Sequence, residues 1–148
     1  MTAIDRDAAA TAPLAPLAEV VVADIENGPW PLSDRRFDTI VVTNYLWRPL
    51  LPVLVARLAD GGLLLYETFA EGQQTVGRPS NPDFLLRHGE LLETASTLHI
   101  VAYENGFTDH PPRYVQRLAA VRPPSKSEHP LRLALPSGLE FPPLSEGE

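Results

Sequence analysis

Three largely apolar runs stand out along the chain, the first two rich in β-branched residues: 18–23 (AEVVVA), 37–43 (FDTIVVT) and 63–69 (LLLYETF). Continuous runs of this length predict short strands covered on both faces. A further fragment opens the chain, where TAID reads as the last half of a strand ending on an acid. Between the second and third runs, Pro49 suits a first helical turn. Leu50, Leu51, Leu54, Val55 and Leu58 then recur at helical spacing, with Asp60-Gly61-Gly62 as the stop. Asn81 predicts a cap for a second helix that starts at Pro82-Asp83 and runs through FLLRHGELLETA. Residues 97–104 (TLHIVAYE) and 114–121 (YVQRLAAV) alternate, and the turn-rich NGFTDHPPR between them predicts an antiparallel hairpin with a wide loop. Pro13 and Pro16 weaken any helix that follows Asp5.

This order predicts an α/β fold, a mostly parallel sheet ending in a C-terminal antiparallel hairpin. The expected domain spans 1–122. Residues 123–148, dense in proline, are expected to form a tail without its own core.

Composition narrows the classes of function. A chain of 148 residues suits one domain, and 44% hydrophobic residues suffice for a core. Twelve basic against 19 acidic residues, a net charge of −7, argue against a nucleic-acid partner, whose binding rests on Lys and Arg. No stretch approaches the ~18 uninterrupted apolar residues of a membrane span. The start lacks the basic-then-apolar pattern of a secretory signal. Cysteine is absent, which removes disulfides and thiolate metal sites and fits a cytoplasmic setting.

Ligands of open α/β sheets sit at the carboxyl ends of the strands. The polar residues there are Asp5, Asp24, Asn44 with Tyr45, and Glu67. Each alone is an ordinary way for a strand to leave the core; the set carries more weight than any member. The other candidates are weaker. His88, His99, His110 and His129 show no ligand spacing, so no metal site is expected. Asp109-His110 has the chemistry of a catalytic base but reads as loop decoration. Ser80, Ser96 and Ser125 lack a nucleophile context. Trp30 and Trp47 lie near the strand ends, where packing is the plainer role and stacking on a substrate the sharper one.

The stretches FDTIVVTNYLWRPLLPVL and LADGGLLLYETFAEG, with ADIENGPWPL before them and YENG…VQRLAAVR after, resemble the class I S-adenosylmethionine (SAM)-dependent methyltransferases, over roughly residues 1–122. The resemblance implies a Rossmann-like fold. It also implies that Asp5 in TAIDRD accepts from the ribose hydroxyls of SAM, a task suited to an acceptor-only carboxylate. Asp24 in VVADIE would accept from the adenine amine, with Ile25 against the ring. Asn44 would complete the cofactor site, and Tyr45 and Trp47 would face the substrate. NYLW departs from the proline-containing motif of methylases that act on base amines, so a small-molecule acceptor is expected. The catalytic base is not legible.

The family's first strand, its GxGxG loop and the following helix would precede Met1, and none of the nine glycines forms such a loop. The expected fold is therefore a truncated one, with SAM binding weak or absent. Two classes of function follow: a small-molecule methyltransferase, or a non-catalytic relative serving as an interaction or scaffold subunit. The resemblance also implies two bare strand edges where the first strand belongs. Direct pairing of the two edges, a second copy of the chain, or the alternating segment 131–135 (LRLAL) would repair them. A homodimer is the expectation, since a two-fold contact satisfies both copies at once.

Overall fold

The computed structural model describes residues 1–125. The readings placed on 126–148, including LRLAL and most of the tail, lie outside the described residues.

The chain opens with strand β1 (Thr2–Asp5), the one-turn helix α1 (Ala8–Thr11) and strand β2 (Glu19–Val22). Asp7 caps α1, its Oδ1 accepting the amides of Ala9 and Ala10 at 2.8 and 3.2 Å. A 3-10 turn carrying Pro13 ends the helix, as the prolines predict. Strand β3 (Phe37–Thr43) has the predicted bounds. Helix α2 (Leu51–Ala56), strand β4 (Leu58–Phe69), helix α3 (Glu90–Thr94) and strands β5 (His99–Asp109) and β6 (Pro112–Val121) follow.

The strands form two sheets rather than one mostly parallel sheet. β1 and β2 pair in parallel as a two-stranded unit. The other four run in the order β3-β4-β6-β5, with β3 parallel to β4, and β6 antiparallel to both β4 and β5. The predicted C-terminal hairpin is present but longer. The expected wide loop is strand, with Phe107 opposite Tyr114 and Asp109 opposite Pro112. Among the described residues the facing edges do not pair directly: β1 pairs with β2 alone, and β3 with β4 alone.

Both predicted helices are shorter than their patterns. The first ends at Ala56, and Leu58 through Gly62, read as its last turn and stop, open β4 instead. The second is a 3-10 turn (Pro82–Phe84), with Asn81 accepting the Asp83 amide as predicted, then an irregular stretch, then α3.

The core lies on one face of the larger sheet. Leu64, Tyr66, Leu118 and Ala120 pack there with Leu51 and Leu54 of α2 and Leu91 of α3. The opposite face is bare among the described residues: Val41 is 62% and Leu65 37% exposed. The strands are thus covered on one face, not both, because α2 and α3 join the same core.

Two buried glutamines tie the segment after β4 to β6. Gln73 accepts the Tyr114 amide at 2.9 Å and donates to the Arg78 carbonyl; Gln116 donates to the Arg87 carbonyl and accepts the Leu91 amide. Gly72 makes the close approach possible. Its φ is +107°, and a Cβ there would lie 2.7 Å from Cδ1 of Tyr114. Gly72→Ala is therefore expected to destabilise by about 1–3 kcal/mol through strain and overlap. An unchanged urea midpoint for this variant would contradict the packing.

Candidate functional site

A cleft of about 890 Å³ opens between β1 and β3 and runs to their carboxyl ends. Parallel strands ending side by side deliver their following residues to one rim. Asp5, Asp24, Ile25, Asn44 and Tyr45 all line this cleft. Trp47 does not line it: this side chain is partly buried against the hydrophobic core. Glu67 also lies elsewhere. It is held on the bare face by Arg113 at 3.0 Å and by Arg117.

The carboxylates differ in what remains open to a ligand. Asp5 Oδ1 accepts the Asp7 amide at 2.8 Å, the one hydrogen bond to this carboxylate among the described residues. Asp24 is committed to its own loop. Its Oδ1 accepts the amides of Glu26 and Asn27, and its Oδ2 accepts the Asn27 side chain at 2.9 Å. The Asn27 side chain first, then the Glu26 amide, hold the Asp24 carboxyl below the usual range.

Asn44 sits in the left-handed region, φ 53°, with its amide donating to the Glu67 carbonyl at 2.9 Å. Asparagine tolerates this turn better than other non-glycine residues. The turn delivers Tyr45, whose hydroxyl donates to Glu26 Oε1 at 3.1 Å. Burial first, then the Glu26 charge, push the Tyr45 phenol upward, so it stays protonated and remains a donor. Tyr66 braces the turn from the core by donating to the Tyr45 carbonyl at 2.8 Å.

The cleft also holds residues that sequence reasoning did not place there. Glu26 supplies a further charge, and Arg6, Thr68, Pro79 and Phe84 also line it. Of these only Glu26, two residues past Asp24 in ADIENG, carries a local signal. The indole Nε1 of Trp30 is buried without a partner among the described residues, a donor with an open valence in the cleft wall. A nucleoside fits this donor set in part: Asp5 has acceptor capacity for hydroxyl groups, whereas Asp24 is free for an amine only if Asn27 lets go.

Among the described residues no helix is long and apolar enough to cross a membrane.

No protein-family model matches the sequence, and no curated protein matches it. The fold is similar to that of the N-methyltransferase NodS from Bradyrhizobium japonicum WM9, at a TM-score of 0.59 and 18% identity, covering 82% of this chain and 72% of NodS. TehB from Haemophilus influenzae aligns at 0.61 and 19% identity, covering 82% of this chain and 49% of TehB. The plantazolicin methyltransferase BpumL, solved with S-adenosylhomocysteine (SAH), aligns at 0.54 and 12% identity, covering 82% of this chain and 66% of BpumL. The chain thus spans from about half to under three quarters of the length of these neighbours. In fold, the chain is similar to these methyltransferases.

Proposed function

We propose that the chain is a methyltransferase-like protein of Rossmann-like fold, from a lineage that methylates a small molecule in the cytoplasm. The convergence of Asp5, Ile25, Asn44 and Tyr45 in one cleft at the ends of parallel strands carries this reading. Asp5 would accept from the ribose hydroxyls, Ile25 would pack against the adenine, and Asn44 would border the methionine end. Tyr45, held protonated, would donate to the methyl acceptor. Bound SAM would supply an electrophilic methyl group. The chain's own residues would orient it and keep water from the apolar wall formed by Ile25, Leu46 and Trp30.

Binding is expected to be weak, because Asp24 is already engaged and, among the described residues, no glycine-rich loop offers amides to the methionine end. Three missing amide contacts at ~0.5–1.5 kcal/mol each amount to roughly tenfold to a few thousandfold in affinity. Titration with SAH by NMR should show millimolar binding, with shifts centred on Asp5, Ile25 and Asn44. Asp5→Ala should abolish them. Shifts centred on other surfaces would overturn the assignment. No shifts at all would favour the second reading, a non-catalytic relative acting as an interaction subunit, which the occupied state of Asp24 already favours.

A further inference from the structure

The face of the larger sheet that is bare among the described residues is ordered in rows by the strand register. Val41, Leu65, Ala119 and Ala102 stand side by side across β3, β4, β6 and β5. The next row, toward the carboxyl ends of β3 and β4, is Thr43, Glu67, Arg117 and Glu104. Both rows line one shallow hollow of about 400 Å³. The first row is apolar but uneven, with two large side chains on β3 and β4 and two alanines on β6 and β5. The second alternates in charge: Arg117 pairs with Glu67 on one side and with Glu104, at 2.9 Å, on the other. An open apolar patch bordered by charge marks an interaction surface.

We infer that this face is the contact surface for a second copy of the chain, packed sheet on sheet about a two-fold axis that runs along the strands between β4 and β6. Such an axis lays β4 of one copy over β6 of the other, and β3 over β5, with each row facing its own row. Leu65 then lies over Ala119 of the second copy and Val41 over Ala102. Large side chains thus fill the space above alanines across a sheet separation of about 10 Å. Glu67 lies over Arg117 and Arg117 over Glu67, which closes a ring of four alternating charges. Thr43 takes the place opposite Glu104, so no like charges meet.

Charge and size together fix the axis. Moved onto β4 or onto β6, it would set Glu67 over Glu67 or Arg117 over Arg117, and like charges in contact are costly. Turned across the strands through the apolar row, it would stack Val41 on Val41 and Leu65 on Leu65, leave the alanines uncovered and drive the charged rows apart. The choice of occupant rests on the same match. Glu67, Glu104, Arg113 and Arg117 carry no net charge between them, so the face does not select an acidic or a basic partner. Its own copy, reversed, fits it in both size and sign. The area sets the strength. Four strands about 4.8 Å apart, and the seven residues from Leu63 to Phe69 at about 3.3 Å each, outline roughly 440 Å² per copy. A standard interface takes ~800 Å² per partner, so the expected dimer is weak, in the micromolar to millimolar range. The inference goes beyond the methyl-transfer reading and stands whether or not a nucleoside binds.

Sedimentation of the full chain should show the mass of one chain at about 1 μM and move toward that of two chains near ~1 mM. Val41→Lys alters a side chain that is 62% exposed, outside the core, and should weaken association by about tenfold or more. Leu92→Lys, at a comparably open position on α3 away from this face, should leave association unchanged. The chain has no cysteine, so introduced thiols report on themselves alone. A mixture of Val41→Cys chains and Ala102→Cys chains, treated with a short bis-maleimide, should give a cross-linked pair. Neither variant alone should, because the axis leaves each residue about three strand spacings, ~14 Å, to the side of its own copy. One-chain mass at both concentrations, masses beyond two chains, unchanged association in Val41→Lys, or equal weakening by Leu92→Lys would overturn the inference. Cross-linking of either variant alone as readily as the mixture would do so as well. One-chain mass together with a Val41→Cys thiol that resists maleimide would overturn it in favour of another part of this chain as the cover.

Discussion

Arg48→Met is expected to lower stability by about 3 kcal/mol, the low end for breaking a buried ion pair by removing one partner. The Arg48 fork donates from Nε and Nη2 to both oxygens of Glu90, at 2.7 and 3.0 Å. The Glu90 side chain is only 5% exposed. Arg48 also donates to the carbonyls of Asp83 and Leu85, so its loss leaves a buried carboxylate and two carbonyls without it. The partial exposure of Arg48, 35%, and the remaining contacts from Arg87 keep the estimate at the low end. Burial works against the Glu90 charge, but the Arg48 hydrogen bonds and the Arg87 amide outweigh it, so its carboxyl sits below the ordinary value of 4.5. A depressed carboxyl stabilises the fold above its unfolded value. That contribution should vanish as pH falls through the lower folded value. Urea melts at pH 7 should separate wild type from Arg48→Met, and melts well below pH 4 should bring them together. An equal gap at both values would sink the account. Arg48→Met with Glu90→Leu should recover much of the loss, since an apolar pair leaves no stranded charge.

The same arginine shows why part of the fold was not legible in the sequence. The pattern from Asn81 to Thr94 has the residues of a helix, and the cap at Asn81 forms as read. The helix breaks because Arg48, distant in sequence, takes the Asp83 and Leu85 carbonyls that the next turn would use. Gly89, at φ 77°, then restarts it. Helix α2 stops early for a related reason. Arg36 donates to the Ala56 and Leu58 carbonyls, and the Phe37 amide donates to the Arg57 carbonyl. These contacts satisfy the helix end from outside and draw Leu58 into β4. A local pattern cannot report them. β3 was legible because an unbroken apolar run needs no partner to define it. The hairpin was legible in kind but not in length, since Asn105, Gly106 and the prolines read as turn signals while the ladder continues through them.

At the site, Asp5, Asp24, Asn44 and Tyr45 follow from one rule, that parallel strands end on one rim, and Ile25 from the family resemblance; all five line the cleft. Trp47 lies away from the cleft because the chain after Tyr45 turns down into the core, where Leu46 and Leu50 are buried. The prior commitment of Asp24 was hidden too, since it depends on Asn27 folding back onto the carboxylate rather than pointing to solvent.

Leu86→Ala is expected to cost about 3 kcal/mol, within the range of 2–5 for emptying a closed apolar site. Leu86 is 0% exposed and packs with Leu64, Leu91 and Leu118. Its backbone is fixed independently of its side chain. The Leu86 amide donates to the Phe69 carbonyl and the Glu71 amide donates to the Leu86 carbonyl, both at 2.9 Å. The neighbouring Leu85, 1% exposed, is equally buried. With the main chain pinned and its neighbours buried, the site has little means to collapse, so the cavity persists and adds to the lost transfer energy. The effect should reach the cleft. Phe84 and Pro79, which line it, belong to the segment that Leu86 anchors. Urea unfolding gives the stability loss. Hydrogen exchange gives the reach: amides near 84–87 should open at lower free energy than in wild type, whereas β5 and β6 should lose only the global amount. A loss below about 1 kcal/mol would mean that the segment repacks around the smaller side chain, as compliant sites do. A loss near 3 kcal/mol with uniform exchange would tie this segment to the global unit, and the cleft wall it carries would then open only when the whole fold does.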